Sequence, residues 1–224
     1  MDVRFLGHAC FTLSDGDTTV VIDPFLSQNP KAAVSPDEID PATILLTHGH
    51  SDHVGDTVAI AKRSGAPVFT ITEIAGELAG EGLETINANL GGSHAFDWGT
   101  AKLVPAWHTS TTDNGTVNTP AGLLINFKDT LVYHLGDTCL FSDLQLVGKR
   151  RQVDVALMPI GGHFTMDRFD AVDAAEFVGA KTVIPCHYNT FPAIETDAQA
   201  FKADVESATS SKVQVLEPGD TFSA

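Results

Sequence analysis

Seven histidines and aspartates along the chain are of the types that hold transition-metal ions, and four of them stand within six positions. The run Thr47-His48-Gly49-His50-Ser51-Asp52-His53 follows directly on the apolar Ile44-Leu45-Leu46. Imidazole and carboxylate donors together suit zinc, iron, nickel or manganese, and no cysteine stands nearby to close a structural zinc site. In a turn at a strand's end, residues two apart aim their side chains alike, so His48 and His50 can grip one ion. Asp52 and His53, opening a helix, can turn toward a second. A chance surface run accounts for a pair of histidines; it does not account for an apolar strand feeding His-x-His-x-Asp-His.

A two-ion site needs more donors, and each arrives after its own strand-like run. His108 follows Lys102-Leu103-Val104-Pro105-Ala106-Trp107, Asp137 follows Leu131 to Gly136, and His187 follows Thr182-Val183-Ile184-Pro185-Cys186. Strand ends converge on one rim of a sheet, which is where ligand sites of α/β proteins gather. Alone, each of the three reads as a hydrogen-bonded structural residue; jointly they complete two sites.

The elements that must position these groups are short. Strands are predicted over Val3–Leu6, Cys10–Leu13, Thr18–Ile22, Thr43–Leu46 and Val68–Ile71, separated by turn signals such as Gly7-His8 and Asp15-Gly16. Helices are expected over Val54–Ser64 and Glu73–Ala79. Glu84–Asn87, Ala101–Ala106, Leu123–Phe127 and Thr130–Leu135 read as further strands. The last third alternates strand and helix: Val153–Met158, Ala171–Val178, Thr182–Ile184, Ala198–Ser207 and Val213–Leu216. β-rich runs followed by βα alternation predict sheets with helices outside, in one domain over residues 1–224. There is also an echo: Asp17–Asp23 and Asp129–Asp137 each read as a turn, an apolar strand and a closing Asp.

Composition bounds the partners. The 224 residues are 43% hydrophobic and 19% charged, the balance of a chain with a full core. Thirteen Lys and Arg stand against 29 Asp and Glu, a formal charge of −16. Nucleic acid and anionic lipid surfaces need the opposite sign, so neither is an expected partner. A small-molecule substrate is expected, and self-association into a homo-oligomer stays open. Three scattered cysteines form no disulfide framework, and the N-terminus carries no apolar stretch of signal-peptide length, so a cytoplasmic location is expected.

His48-Gly49-His50-Ser51-Asp52-His53, with His108, Gly136-Asp137 and His187 at increasing distances, resembles the metallo-β-lactamase superfamily pattern over nearly the whole chain. Leu6-Gly7-His8-Ala9-Cys10-Phe11, Pro159-Ile160-Gly161-Gly162-His163-Phe164-Thr165-Met166 and His187-Tyr188-Asn189-Thr190-Phe191-Pro192 narrow it. They resemble a compact family of uncharacterised metal-dependent hydrolases related to ascorbate-6-phosphate lactonase and N-acyl-phosphatidylethanolamine phospholipase D. The resemblance implies an α/β fold, a four-layer αββα sandwich, with two divalent ions, Zn2+ first and Mn2+, Ni2+ or Fe2+ as alternatives. It assigns His48, His50 and His108 to one ion, Asp52, His53 and His187 to the other, and Asp137 to both.

Two close cations acidify a shared water and stabilise the oxyanion formed on attack, which serves ester, lactone or phosphodiester hydrolysis. Asp52 is expected both to bind metal and to orient the nucleophile, and His163, after Gly161-Gly162, to protonate the leaving group. His8 and Asn189 are expected to line the substrate pocket, His8 alternatively to back a ligand. Trp107 is expected in the core, Thr138 against Asp137, and Cys139 and Cys186 as buried bystanders. Two other functions fit the same motif: an iron-dependent oxidoreductase resembling persulfide dioxygenases, and an RNA-processing nuclease, which the acidic charge disfavours.

Overall fold

The computed structural model describes residues 1–224. The apolar-rich runs of the first part become β1 (Asp2–Gly7), β2 (Cys10–Ser14), β3 (Thr19–Ile22) and β4 (Thr43–Leu45). After β4 come the one-turn α1 (Ser51–Val54) and α2 (Thr57–Ser64), then β5 (Val68–Ile71), α3 (Thr72–Gly80) and β6 (Thr85–Ala88). The rest of the chain supplies β7 (Ser93–Phe96), β8 (Gly99–Pro105), β9 (Ala121–Phe127), β10 (Thr130–His134) and β11 (Val155–Pro159). It continues through α4 (Arg168–Val178), β12 (Thr182–Cys186), α5 (Ala198–Ala208), β13 (Lys212–Val213) and β14 (Thr221–Ser223).

These strands form two seven-stranded sheets, in the orders β14-β1-β2-β3-β4-β5-β6 and β13-β12-β11-β10-β9-β8-β7. In the first, β14, β1, β2 and β3 pair antiparallel, and β3 through β6 pair in parallel. In the second, β7 through β10 pair antiparallel, and β10 through β13 in parallel.

The two-residue period of the strands decides what lies between and outside the sheets. On β11, Val155 and Leu157 join the apolar layer shared with Phe5, Leu13, Ile22 and Leu45 of the other sheet. Ala156 and Met158 turn the opposite way, under Ala171, Ala175 and Val178 of α4 and Phe201 and Val205 of α5. Ile60 of α2 and Ile74 and Leu78 of α3 cover the first sheet. The layers are therefore helix, sheet, sheet, helix, as the resemblance implied. Asp167 and Asp197 cap the outer helices of the second half, each accepting two backbone N–H bonds.

Three local expectations need correction. The predicted helix Val54–Ser64 is broken at Gly55, where φ is 42° and a Cβ would sit 2.4 Å from the carbonyl of Pro24. That break lets α1 present Asp52 and His53 independently of α2. The closing strand predicted over Val213–Leu216 shortens to Lys212–Val213. Strands β7 and β14 were not expected, because exposed edge residues such as Ser93 and His94 carry no apolar alternation. No helix is long and apolar enough to cross a membrane.

Candidate metal centre

All seven expected donors come to one rim, between the edges of the two sheets. The turn after β4 supplies His48 and His50, and α1 supplies Asp52 and His53. Between the two histidines, a Cβ on Gly49 would meet the Asn118 amide nitrogen at 2.4 Å and the Thr112 methyl at 2.9 Å, so any larger residue would have to displace both side chains. Its N–H donates to Ser110 Oγ at 2.8 Å, tying the turn to the β8–β9 connection. His108 comes from that same connection, Asp137 follows β10, and His187 follows β12. The left-handed backbone of Asp23 (φ 45°) and His187 (φ 53°) turns the chain sharply at the ends of β3 and β12. Such conformations cost non-glycine residues energy and recur at functional sites.

Asp137 lies at the centre. Its carboxylate oxygens stand 3.2 Å from His187 Nε2, 3.3 Å from His53 Nε2, 3.6 Å from His108 Nε2 and 3.9 Å from His48 Nε2. Two groups of donor atoms close enough to share an ion fall around it: His48, His50 and His108, and His48, His53 and Asp137. A third joins Asp52, His53 and His187 with His8. His48 Nε2 and His50 Nδ1 are 3.1 Å apart, and the His187 and Asp52 side chains approach to 3.7 Å.

The donor set fits cations better than it fits itself. His53 Nε2 and both ring nitrogens of His187 are buried without a hydrogen bond of acceptable geometry. Buried polar atoms are nearly always paired, so the two unpaired Nε2 atoms facing the Asp137 carboxylate mark a place for a ligand. The proton balance says the same. Burial works to discharge His53, but Asp137 and Asp23 outweigh it and raise its pKa well above the ordinary value. His187 is likewise raised to about 9, burial being overcome by Asp137 and Asp52. Burial favours a neutral Asp137, yet His187 and His53 hold it well below the usual carboxylate range. His48, by contrast, is held neutral by burial and by the neighbouring His53, which leaves it in the metal-binding form.

Around this ring stands a layer of bracing bonds. Asp23, fully buried, accepts from His53 Nδ1 at 2.7 Å, from Thr47 Oγ1 at 2.6 Å and from Thr47 N at 2.9 Å. A carboxylate on Nδ1 fixes the tautomer and aims Nε2 inward. Thr47 and Thr190 were missed in the sequence, since a threonine beside a histidine carries no signal of its own. His134 donates from Nε2 to the Ala9 carbonyl and accepts from Gly136 N, both at 3.0 Å.

The remaining expectations fare unevenly. His8 does not line a substrate pocket: it is 1% exposed and sits behind Asp52, with both ring nitrogens bonded. Asn189 is exposed, but its Oδ1 accepts from Thr196 N at 2.8 Å and orders the loop. His163 is exposed, its ring edge-on to Phe164 at 4.5 Å, and makes no hydrogen bond to any of the seven. Its loop is nevertheless pressed to the site: a Cβ on Gly161 would lie 2.2 Å from the His187 carbonyl. Trp107 is 66% exposed rather than in the core, because its strand has ended and its neighbours Cys139 and Thr138 hold only its backbone. Thr138 therefore braces the segment entering His108, not Asp137. Cys186 is buried as expected, whereas Cys139 is exposed.

The sequence profile of the beta-lactamase superfamily domain matches residues 2–187. A UPF0173 metal-dependent hydrolase of Natranaerobius thermophilus is 42% identical over 222 residues, and one of Pelotomaculum thermopropionicum is 45% identical over 227; each alignment covers 99% of both chains. Among solved structures, Igni18, a metallo hydrolase from Ignicoccus hospitalis, is 37% identical with a TM-score of 0.91, covering 100% of this chain and 98% of that one.

Proposed function

The chain belongs to the metallo-β-lactamase superfamily, among its UPF0173 metal-dependent hydrolases, and from that premise we propose a two-ion hydrolase of small-molecule esters, lactones or phosphodiesters. One observation carries the reading: four imidazole Nε2 atoms, brought from the β4 turn, α1, the β8–β9 connection and the end of β12, face the single carboxylate of Asp137 within 4 Å. A structural ion pair needs one partner; a carboxylate shared by four rings suits two cations.

His48, His50 and His108 would hold one ion, Asp52, His53 and His187 the other, with Asp137 between them. Zinc matches the donor set best, since neutral imidazole and carboxylate are its usual ligands at open sites. When bound, such a pair supplies an acidified water and a positive field for the charge that develops on the attacked group.

The chain's own side chains supply the rest. Asp52, whose carboxylate stays 30% exposed, would orient the attacking water and accept its proton. His163, exposed on the loop packed against His187, is the candidate to protonate the leaving group. The free amide nitrogen of Asn189 is the candidate contact for a substrate acceptor at the mouth. With a formal charge of −16 and three free cysteines, we infer a small-molecule substrate, no nucleic-acid or membrane partner, and work in the reducing cytoplasm.

Metal analysis of natively purified protein, coupled to hydrolysis assays on phosphodiesters, lactones and thioesters, tests the proposal. Two ions per chain and turnover that a chelator abolishes are expected. One ion per chain, or iron with thiol-dependent oxygen uptake and no hydrolysis, overturns it.

A further inference from the structure

Both ring nitrogens of His8 are engaged away from an ion or substrate, yet it contacts three residues of the centre, Asp52, His53 and His187. Its Nε2 lies 3.0 Å from Asp52 Oδ2, and its Nδ1 lies 2.9 Å from Thr190 Oγ1. An ionised carboxylate can only accept, so Nε2 carries the proton; Nδ1 of the neutral ring then accepts from the Thr190 hydroxyl. Neither nitrogen is left for a metal or a substrate. The same residue's carbonyl accepts from His187 N at 2.7 Å, and its ring packs on the His187 ring with centroids 4.0 Å apart. Phe25 and Phe191 close its edges, each at 5.6 Å.

We propose that His8, braced by Thr190, is the positioning residue for the ion held by Asp52, His53 and His187, so that occupancy of this one position depends on a latch between the two sheets. The inference rests on the two-ion reading above. Asp52 and His187 belong to different halves of the fold, and His8, in the β1–β2 turn, addresses both: Asp52 through its ring, His187 through its carbonyl. Asp52 stands on a single helical turn with its carboxylate partly in solvent, and the contact to His187 is longer, at 3.7 Å. Removing His8 therefore frees the Asp52 rotamer and withdraws the stack from His187. His48, His50 and His108 make no hydrogen bond to His8, and the other ion position keeps its ligands. The left-handed backbone of His8, φ 60°, is held by these same bonds.

The test is a Zn2+ titration of metal-stripped protein against a chromophoric chelator, with Co2+ absorption spectra as a second readout. The variants are His8→Ala, His8→Gln and Thr190→Val. Wild type should take up two ions. His8→Ala should keep one at wild-type affinity and weaken the other by roughly 10- to 100-fold, the usual cost of losing a ligand's hydrogen-bonding partner. His8→Gln, whose amide can still donate to Asp52, should recover part of that loss, and Thr190→Val should fall between. Near-UV circular dichroism checks the fold, and if His8→Ala does not fold, His8→Gln against Thr190→Val decides. Two ions in wild type with the weaker affinity unmoved in the variants overturns the His8 assignment alone. Equal weakening of both ions also overturns it, as mere structural support. A single ion in wild type overturns the two-ion reading itself, and the assignment with it.

Discussion

The two halves of the molecule repeat one pairing scheme, three antiparallel contacts followed by three parallel ones, and use it differently. By that scheme β3 corresponds to β10, and the β1–β2 turn to the β8–β9 connection. An aspartate follows each of the paired strands, Asp23 and Asp137, and a histidine lies in each of the connections, His8 and His108. The sequence echo between Asp17–Asp23 and Asp129–Asp137 falls on these counterparts. In the second half His108 and Asp137 face the cluster directly. In the first half His8 and Asp23 are spent on hydrogen bonds to Asp52 and His53.

Connection length explains part of the contrast. Between β1 and β2 stand only His8 and Ala9, which holds His8 against the strands and buries it. Between β8 and β9 the chain has residues 106–120 in which to bring His108 up beside His48 and His50. The third difference lies after the next strand of each half. The turn after β4 and α1 together carry four donors, while the segment after β11 carries Gly161, Gly162 and the exposed His163. At these two paired positions the frame thus puts donors to the cluster in the second half and their hydrogen-bonding partners in the first, although four of the seven donors also come from the first half.

Substituting the counterparts separates the two roles. Asp137→Ala should release most of the metal and bring hydrolysis to background, a loss beyond the roughly 100-fold ceiling for a brace, while circular dichroism stays native. Full metal content and activity would remove Asp137 from the centre. Next in size is pH. The metal-free fold binds the His187 proton more tightly than the unfolded chain does, with a pKa near 9 against 6.5. That stabilisation, roughly 3 kcal/mol at 1.4 kcal/mol per pKa unit, is complete below pH 6.5 and is lost as pH rises through about 9. Denaturant melts of metal-stripped protein between pH 6 and 10 should show the decline, and metal-loaded protein should not. A flat profile in the stripped protein would place the proton elsewhere. Smallest is Asp23→Asn, which keeps the shape but weakens the bond to His53 Nδ1. Metal affinity should fall roughly 10-fold, measured by chelator competition, with the ion count unchanged. A loss as large as that of Asp137→Ala would erase the distinction between the halves.

The metal centre was more legible than the strands around it. His48, His50, Asp52 and His53 lie close in sequence, so any turn after β4 that satisfies its backbone brings them together. His108, Asp137 and His187 announced themselves only as polar residues ending apolar runs, and their convergence needed two sheets with aligned rims. The helix break at Gly55 carries no local signal, because its cause, the approach of Pro24 and Phe25, is about thirty residues away in the chain. Trp107 misled in the opposite sense: its type favours a core, but its position beyond the end of β8 leaves the indole outside.

By itself the sequence determined the donor chemistry, the strand-end placement of each donor and the layered α/β class, all of which depend on residue type and short-range spacing. Only the tertiary structure decided which side chain hydrogen-bonds to which donor. His8 reaches Asp52 across 44 residues and Asp23 reaches His53 across 30. Such pairings depend on sheet register and rotamer, which many distant contacts set together and no local pattern encodes. The same holds for His8 itself: the sequence leaves it between lining the pocket and backing a donor, and Thr190 and Asp52, which occupy both of its nitrogens, decide for the second.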